Sequence, residues 1–296
     1  MSAATLAIAL GGSLMPDAAL AQRGLNIRQA VASDVSVRLN GDFAQLRIIG
    51  WRTDSLVVSG ALPKGARFDG GVAAATPKQA PRGAKFYVEH DAATPTAALE
   101  LYVPAGARVW AKAANATIEV RGVTGGLDLN IVGGAIVVNG DPAELNVEAM
   151  DGSVEILGSP KWMRVKTASG DIRMRGTSED AAFTTVSGNV QVREGTFERV
   201  RLETVTGSAS FGGQLAPGGS LNADSHSGVI ELLLGKTSNI DVDAIAIAGS
   251  IENLASKARP VAGRQGRGQE LGAGFGDGSA RATLRTFKGT IRLRLG

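Results

Sequence analysis

Apolar and polar residues alternate in short runs along most of the chain, and from Val109 onward the alternation recurs in register. A unit Gly-x-Val/Ile-x-apolar opens at Gly134, Gly152, Gly170, Gly188, Gly207, Gly228, Gly249 and Gly289. Ala116-Thr-Ile-Glu-Val120 fits as a first copy with Ala in the Gly place. The intervals between anchors are 18, 18, 18, 18, 19, 21, 21 and 40 residues. A second alternating segment precedes each anchor, with apolar residues seven and five places upstream, from Val109 and Ala111 to Ala282 and Leu284. Together with the second and fourth places after the anchor, these columns hold 36 residues in nine copies, of which 35 are apolar and only Asn253 is not. Hydrophobic residues make up 44% of the chain, so chance does not produce such columns.

Alternation with period two over runs of about five residues predicts strands, because successive side chains face opposite sides. Glycines bracket the second strand of several copies, as at Gly152/Gly158 and Gly170/Gly176, where they are expected to supply the positive φ of the corners. No stretch shows helical periodicity with caps. The fold class is therefore all-β. Constant chemistry at each offset predicts a parallel β-helix or β-solenoid of about nine coils, each near 18 residues, stacked into a rod of roughly 40 Å. A β-sandwich or meander of successive hairpins is the alternative. A six-residue apolar period, which a left-handed hexapeptide helix requires, fails at Thr124 and Asn130 after Ile118.

The predicted organisation has a signal peptide at 1–21, an irregular β region or cap at 22–108, and solenoid repeats at 109–296. The region 25–110 contains strand-like runs such as Val35-Ser-Val-Arg-Leu39 and Leu99-Glu-Leu-Tyr-Val103, and a Gly/Ala/Pro-rich loop at 69–83. It covers the open end of the stack or begins it with degenerate coils. The long last interval holds a Gly/Arg-rich insertion at 256–278, with Arg259, Arg264 and Arg267, expected as a flexible loop folding over the C-terminal edge.

Composition narrows the function classes. The chain has 296 residues, 40 of them Gly and none Cys, which excludes disulfides, thiolate metal sites and a cysteine nucleophile. A net charge of +3 is too mild to argue for nucleic acid. The apolar run at 3–14, then Pro16 and Ala19-Leu20-Ala21 before Gln22, match an export signal cut after Ala21, although no Lys or Arg precedes the run. A buried N-terminal strand or helix is the alternative. No other stretch approaches the roughly 18 apolar residues of a membrane helix. The rest of the chain is expected to be exported, periplasmic or extracellular, without a transmembrane segment.

The Gly50-Trp51 pair, Leu56-Val-Val-Ser-Gly60, and Val103-Pro-Ala-Gly106 leading into Gly-Ser/Asp-Val/Ile repeats resemble a broad family of exported bacterial β-strand-repeat proteins grouped as adhesins, a domain of unknown function. The resemblance covers roughly residues 27–296. It implies a β-solenoid or parallel β-helix on an envelope protein, and no catalytic residues to carry over. The long final insertion departs from the regular pattern.

Candidate chemistry is sparse. Asp224-Ser225-His226-Ser227 holds the residue types of a hydrolytic triad, but on a strand Ser225 faces away from Asp224 and His226. Asp241 and Asp243 share a face as an acid pair, yet Val242 and Ala244 fill the inward columns, so both acids are expected in water. Gly274-Phe-Gly-Asp-Gly278 is a single copy of a pattern that binds calcium only when repeated. Neither cofactor nor metal is predicted. The outward places three and five after the anchors carry Arg173, Arg175, Arg193, Arg292 and Arg294, with Glu119 and Glu155 separated by two coils. This basic stripe is the candidate binding surface for acidic glycans or headgroups.

The sequence thus points to an exported, non-enzymatic structural or adhesin-like module of the cell envelope. Envelope polysaccharide or another envelope protein is the candidate partner, with no nucleic acid. A carbohydrate-active β-helix of the polysaccharide lyase kind is the enzymatic alternative, with Asp224, Glu231, Asp241 and Asp243 as the acids to watch.

Overall fold

A computed structural model describes residues 23–74, 79–90, 97–263 and 266–296; the predicted signal segment lies outside them. The described residues are all-β, with 23 strands in one hydrogen-bonded system and no α-helix. Most strands belong to one of two parallel ladders. Each pass of the chain first adds a strand to ladder A and then one to ladder B, as residues 126–131 and 135–139 do. The next pass follows 18 residues later in strict register. Leu127 pairs with Leu145 and Leu145 with Met163 in ladder A. Ile136 pairs with Val154, Val154 with Ile172 and Ile172 with Val190 in ladder B.

All 35 apolar column residues are buried and join one core cluster between the ladders. Asn253 is half-buried and turns the chain instead: its Nδ2 donates to Ser256 Oγ and Ala258 O at 2.8 Å each, and its Oδ1 accepts from the Ala255 N–H. The columns also run beyond the nine copies. Val37 and Leu39 register with Val109 and Ala111, and Leu46 and Ile48 with Ile118 and Val120. A further rung, Gly83–Glu89 with Ala98–Pro104, lies on the other side of Ser36–Gly41 and Gln45–Trp51.

At both ends the rung order differs from the chain order. The rung at 83–104 is outermost at the N-terminal end, with 36–51 beneath it. At the other end the last rung in sequence, Ala280–Thr286 with Thr290–Leu295, is inserted between the rung at 220–234 and the rung at 240–253. Antiparallel strands then cover the outermost rungs. Ser55–Leu62 and Arg67–Val72 pair with the N-terminal rung, and Gln269–Phe275 pairs with Ile240–Ala246. The insertion at 256–278 thus supplies a strand that covers the edge of ladder A, where free N–H and C=O groups would otherwise invite other chains.

Among the anchor glycines only Gly134, at 110°, has the positive φ that the pattern suggests. The bracketing Gly140, Gly158 and Gly176 also have positive φ, at 142°, 142° and 134°. Gly170, Gly188, Gly207 and Gly228 do not; a Cβ on each would run into the carbonyl of the anchor glycine one rung earlier. The corner brings backbone against backbone, and only hydrogen fits. At these four corners a buried hydroxyl three places before the anchor ties the turn. Thr167 Oγ1 donates to Gly170 O at 2.7 Å, and Gly188 N and Gly228 N donate to Thr185 Oγ1 and Ser225 Oγ at 3.1 and 2.9 Å.

Candidate functional site

Alternation that sends Leu127, Leu145 and Met163 inward sends their neighbours out, so the outer face of ladder A is a grid of side chains one rung apart. One column of this grid reads Ser36, Arg108, Gly126, Glu144, Trp162, Asp180. The next reads Arg38, Trp110, Asp128, Asn146, Arg164. Where the first column reaches Gly126 there is no side chain, and the face sinks into a hollow of about 650 Å³. Arg108 Nη1 lies 3.7 Å from Glu144 Oε2 across that gap. Trp110 stands on one side, half-buried, and Trp162 on the other, 53% exposed. Three rungs separate the two tryptophans, about 14 Å along the stack.

The polar lining is balanced and partly uncommitted. Arg38, Arg108 and Arg164 face Asp128, Glu144 and Asp180. Asp128 accepts from Asn130 Nδ2 at 2.6 Å, and Asp180 accepts from Arg199 Nε at 3.1 Å. Among the described residues Arg38, Asn146 and Arg164 make no side-chain hydrogen bond or ion pair, so their polar groups face open water. Tyr87, 45% exposed, stands on the same ladder two rungs before Trp110. Three of the chain's five Trp and Tyr residues therefore sit on this one ladder face.

The five arginines of the basic stripe all lie on ladder B, but not in one row. Arg173 and Arg175 share a rung, and Arg175 registers with Arg193 on the next. Ser210 and Gly212, then Glu231 and Leu233, intervene before Arg292 and Arg294. Arg173 pairs with Asp171 at 3.0 Å, Arg292 with Glu252 at 2.7 Å and Arg294 with Glu231 at 3.5 Å. The Arg292 hydrogen bond holds the Glu252 carboxyl below its ordinary range. Arg193 and Arg292 both line a second hollow of about 380 Å³ with Glu231, and Arg193 Nη1 is buried there without a hydrogen-bond partner.

Of the acids considered for catalysis, Asp241 and Asp243 stand two places apart on one outward strand face, and Asp224 lies two rungs from them on the same ladder. Glu231 stands on ladder B, while Asp224, Asp241 and Asp243 stand on ladder A. Ser225 is buried and accepts from Gly228 N, Asp224 faces outward, and the His226 ring stacks on Phe287 at 5.2 Å. Partial burial raises the Asp224 carboxyl, with Arg285 pulling the other way. Among the described residues no three His, Asp or Glu side chains gather as a metal site.

Sequence reasoning passed over Trp110 and Trp162. They lie in different copies and different columns, so no motif links them; the available signal was a large aromatic, and a glycine at 126, in columns otherwise filled by polar side chains.

No family model and no curated protein matches the chain. Among solved structures it is similar to a "putative adhesin" of Parabacteroides distasonis, with 10% identity, TM-score 0.47, and 93% of this chain and 97% of that one covered. A "putative adhesin" of Bacteroides fragilis gives 10%, 0.41, 93% and 98%. A "putative cell adhesion protein" of Clostridium sporogenes gives 8%, 0.22, 93% and 100%. Likenesses this loose fix neither a family nor an activity for the chain.

Proposed function

We propose that the chain is a β-solenoid that serves as an exported, non-enzymatic, adhesin-like binding module of the cell envelope and holds its ligand on the outer face of ladder A. The two in-register parallel ladders, fed alternately by each pass of the chain, support a solenoid over a sandwich or meander. The export reading rests on Ala19-Leu20-Ala21 and the apolar run before it. One observation carries the binding role: the Gly126 hollow lies between Trp110 and an exposed Trp162 on a rigid sheet. Two indoles at one hollow offer a ligand large apolar area with a polar handle at little conformational cost, which is why tryptophan is enriched at binding surfaces.

A second reading is an acidic-glycan contact on ladder B, favoured by the unpartnered Arg193 Nη1 in the hollow shared with Arg292. Glycan-array binding of the wild type, W110A/W162A and R173A/R175A/R193A tests both. Loss in the tryptophan variant alone is the expected result. Loss in the arginine variant alone would move the site to ladder B. Release of reducing ends from a bound polysaccharide, abolished by one outward substitution, would replace the binding role with an enzymatic one.

A further inference from the structure

Resting on the ladder A reading, the geometry points to an uncharged glycan as the ligand, laid along the stack with its sugar faces on Trp110 and Trp162. Charge is the first argument. Three arginines and three acids line the hollow, so a polyanion would meet Asp128, Glu144 and Asp180 as repulsion, and a polycation would meet the arginines. A ligand without charge meets neither penalty.

Hydrogen bonding is the second. A sugar hydroxyl both donates and accepts, and Asn146 offers both functions from the middle of the face. Arg38 and Arg164 add donors that no protein side chain engages, while Glu144 adds acceptors. Shape is the third. Gly126 leaves a hollow between the tryptophans over which the Arg108–Glu144 pair reaches, and a Cβ there would touch Arg108 Cγ at 3.4 Å. The two indoles are offset by three rungs and one column, so a chain touching both runs nearly parallel to the stack. Aromatic faces present apolar area to the C–H faces of sugars at little conformational cost.

The test is calorimetric titration of the full chain with cellohexaose, mannohexaose, maltohexaose and, as the charged arm, hexagalacturonate. Binding of at least one neutral hexasaccharide is expected, weakening tenfold or more in W162A and in W110A. Affinity for the neutral series should rise with length until the oligosaccharide reaches both indoles. G126L, which fills the hollow and leaves both tryptophans in place, should weaken binding comparably. Thermal midpoints near wild type for W162A, whose ring is exposed, separate lost binding from lost folding. Tryptophan-dependent binding of hexagalacturonate alone would keep the face and overturn the uncharged ligand. Binding unaffected by W110A and W162A would overturn the ladder A reading itself. Failure of all the neutral hexasaccharides to bind would overturn the ligand assignment.

Discussion

Ile230 pairs in register with Ile291, not with Ile251, although Ile251 belongs to the next copy along the chain. After the rung at 220–234 the chain leaves one level empty, forms the outermost rung at 240–253, crosses that rung's edge as Gln269–Phe275, and returns to fill the gap. The His226–Phe287 ring contact records the same neighbour relation at the corner. The N-terminal end repeats the arrangement, with 36–51 beneath 83–104. Both terminal rungs are held on two sides by hydrogen bonds, which opposes the fraying common at chain ends.

This order makes a stability comparison decisive. Ile291 is fully buried between two rungs, whereas Ile251 lies on the outermost rung. Ile291→Ala should cost about 2–5 kcal/mol, and Ile251→Ala measurably less, in denaturant unfolding. Were the rungs stacked in chain order, Ile251 would be the enclosed residue and the ranking would reverse.

The anchor glycines predict a second contrast. Gly207→Ala forces a Cβ against Gly188 O, and backbone on both sides leaves no room to yield. A loss of at least about 3 kcal/mol, or failure to fold, is expected. Gly272 has open space and ordinary φ, so Gly272→Ala should be neutral or stabilise by up to about 1 kcal/mol. Equal thermal midpoints for the two variants would contradict the crowding account.

Much of this was legible in the sequence, and the limits have physical causes. Period-two alternation selects the inward face, so Ile136, Val154 and Ile172 could be placed before any coordinates. Which copy lies on which could not: the copies at Gly249 and Gly289 present equivalent aliphatic slots, and either fits on Gly228. The glycine repeat was visible, but a residue chosen for positive φ and one chosen for lack of a Cβ read alike. Ser36–Gly41 and Gly83–Glu89 share the columns of ladder A, yet the intervening hairpin strands at 55–72 break their spacing. The tryptophan face stayed hidden because it forms only when Trp110 and Trp162, 52 residues apart, come within three rungs.

Asp224 predicts a pH effect of definite sign. Partial burial raises its carboxyl in the folded chain, with Glu203 adding to the rise and Arg285 opposing it. A raised carboxyl favours folding while protonated, and that contribution is lost as pH climbs through its folded value. Asp224→Asn removes the ionisation. Its thermal midpoint relative to wild type should therefore rise with pH above the ordinary aspartate range and then level off. A difference that falls with rising pH would contradict the burial assignment.

The stacking order itself is open to a direct chemical measurement, because the chain has no cysteine to interfere. Facing residues on adjacent parallel rungs lie about 5 Å apart, within disulfide reach, and residues two rungs apart lie about 10 Å apart, beyond it. Under mild oxidation E231C/R292C should close a disulfide, read by non-reducing electrophoresis and peptide mass, while E231C/E252C keeps both thiols free. A disulfide joining 231 to 252, with 231 and 292 left reduced, would contradict the interposed rung and the parallel register that defines it.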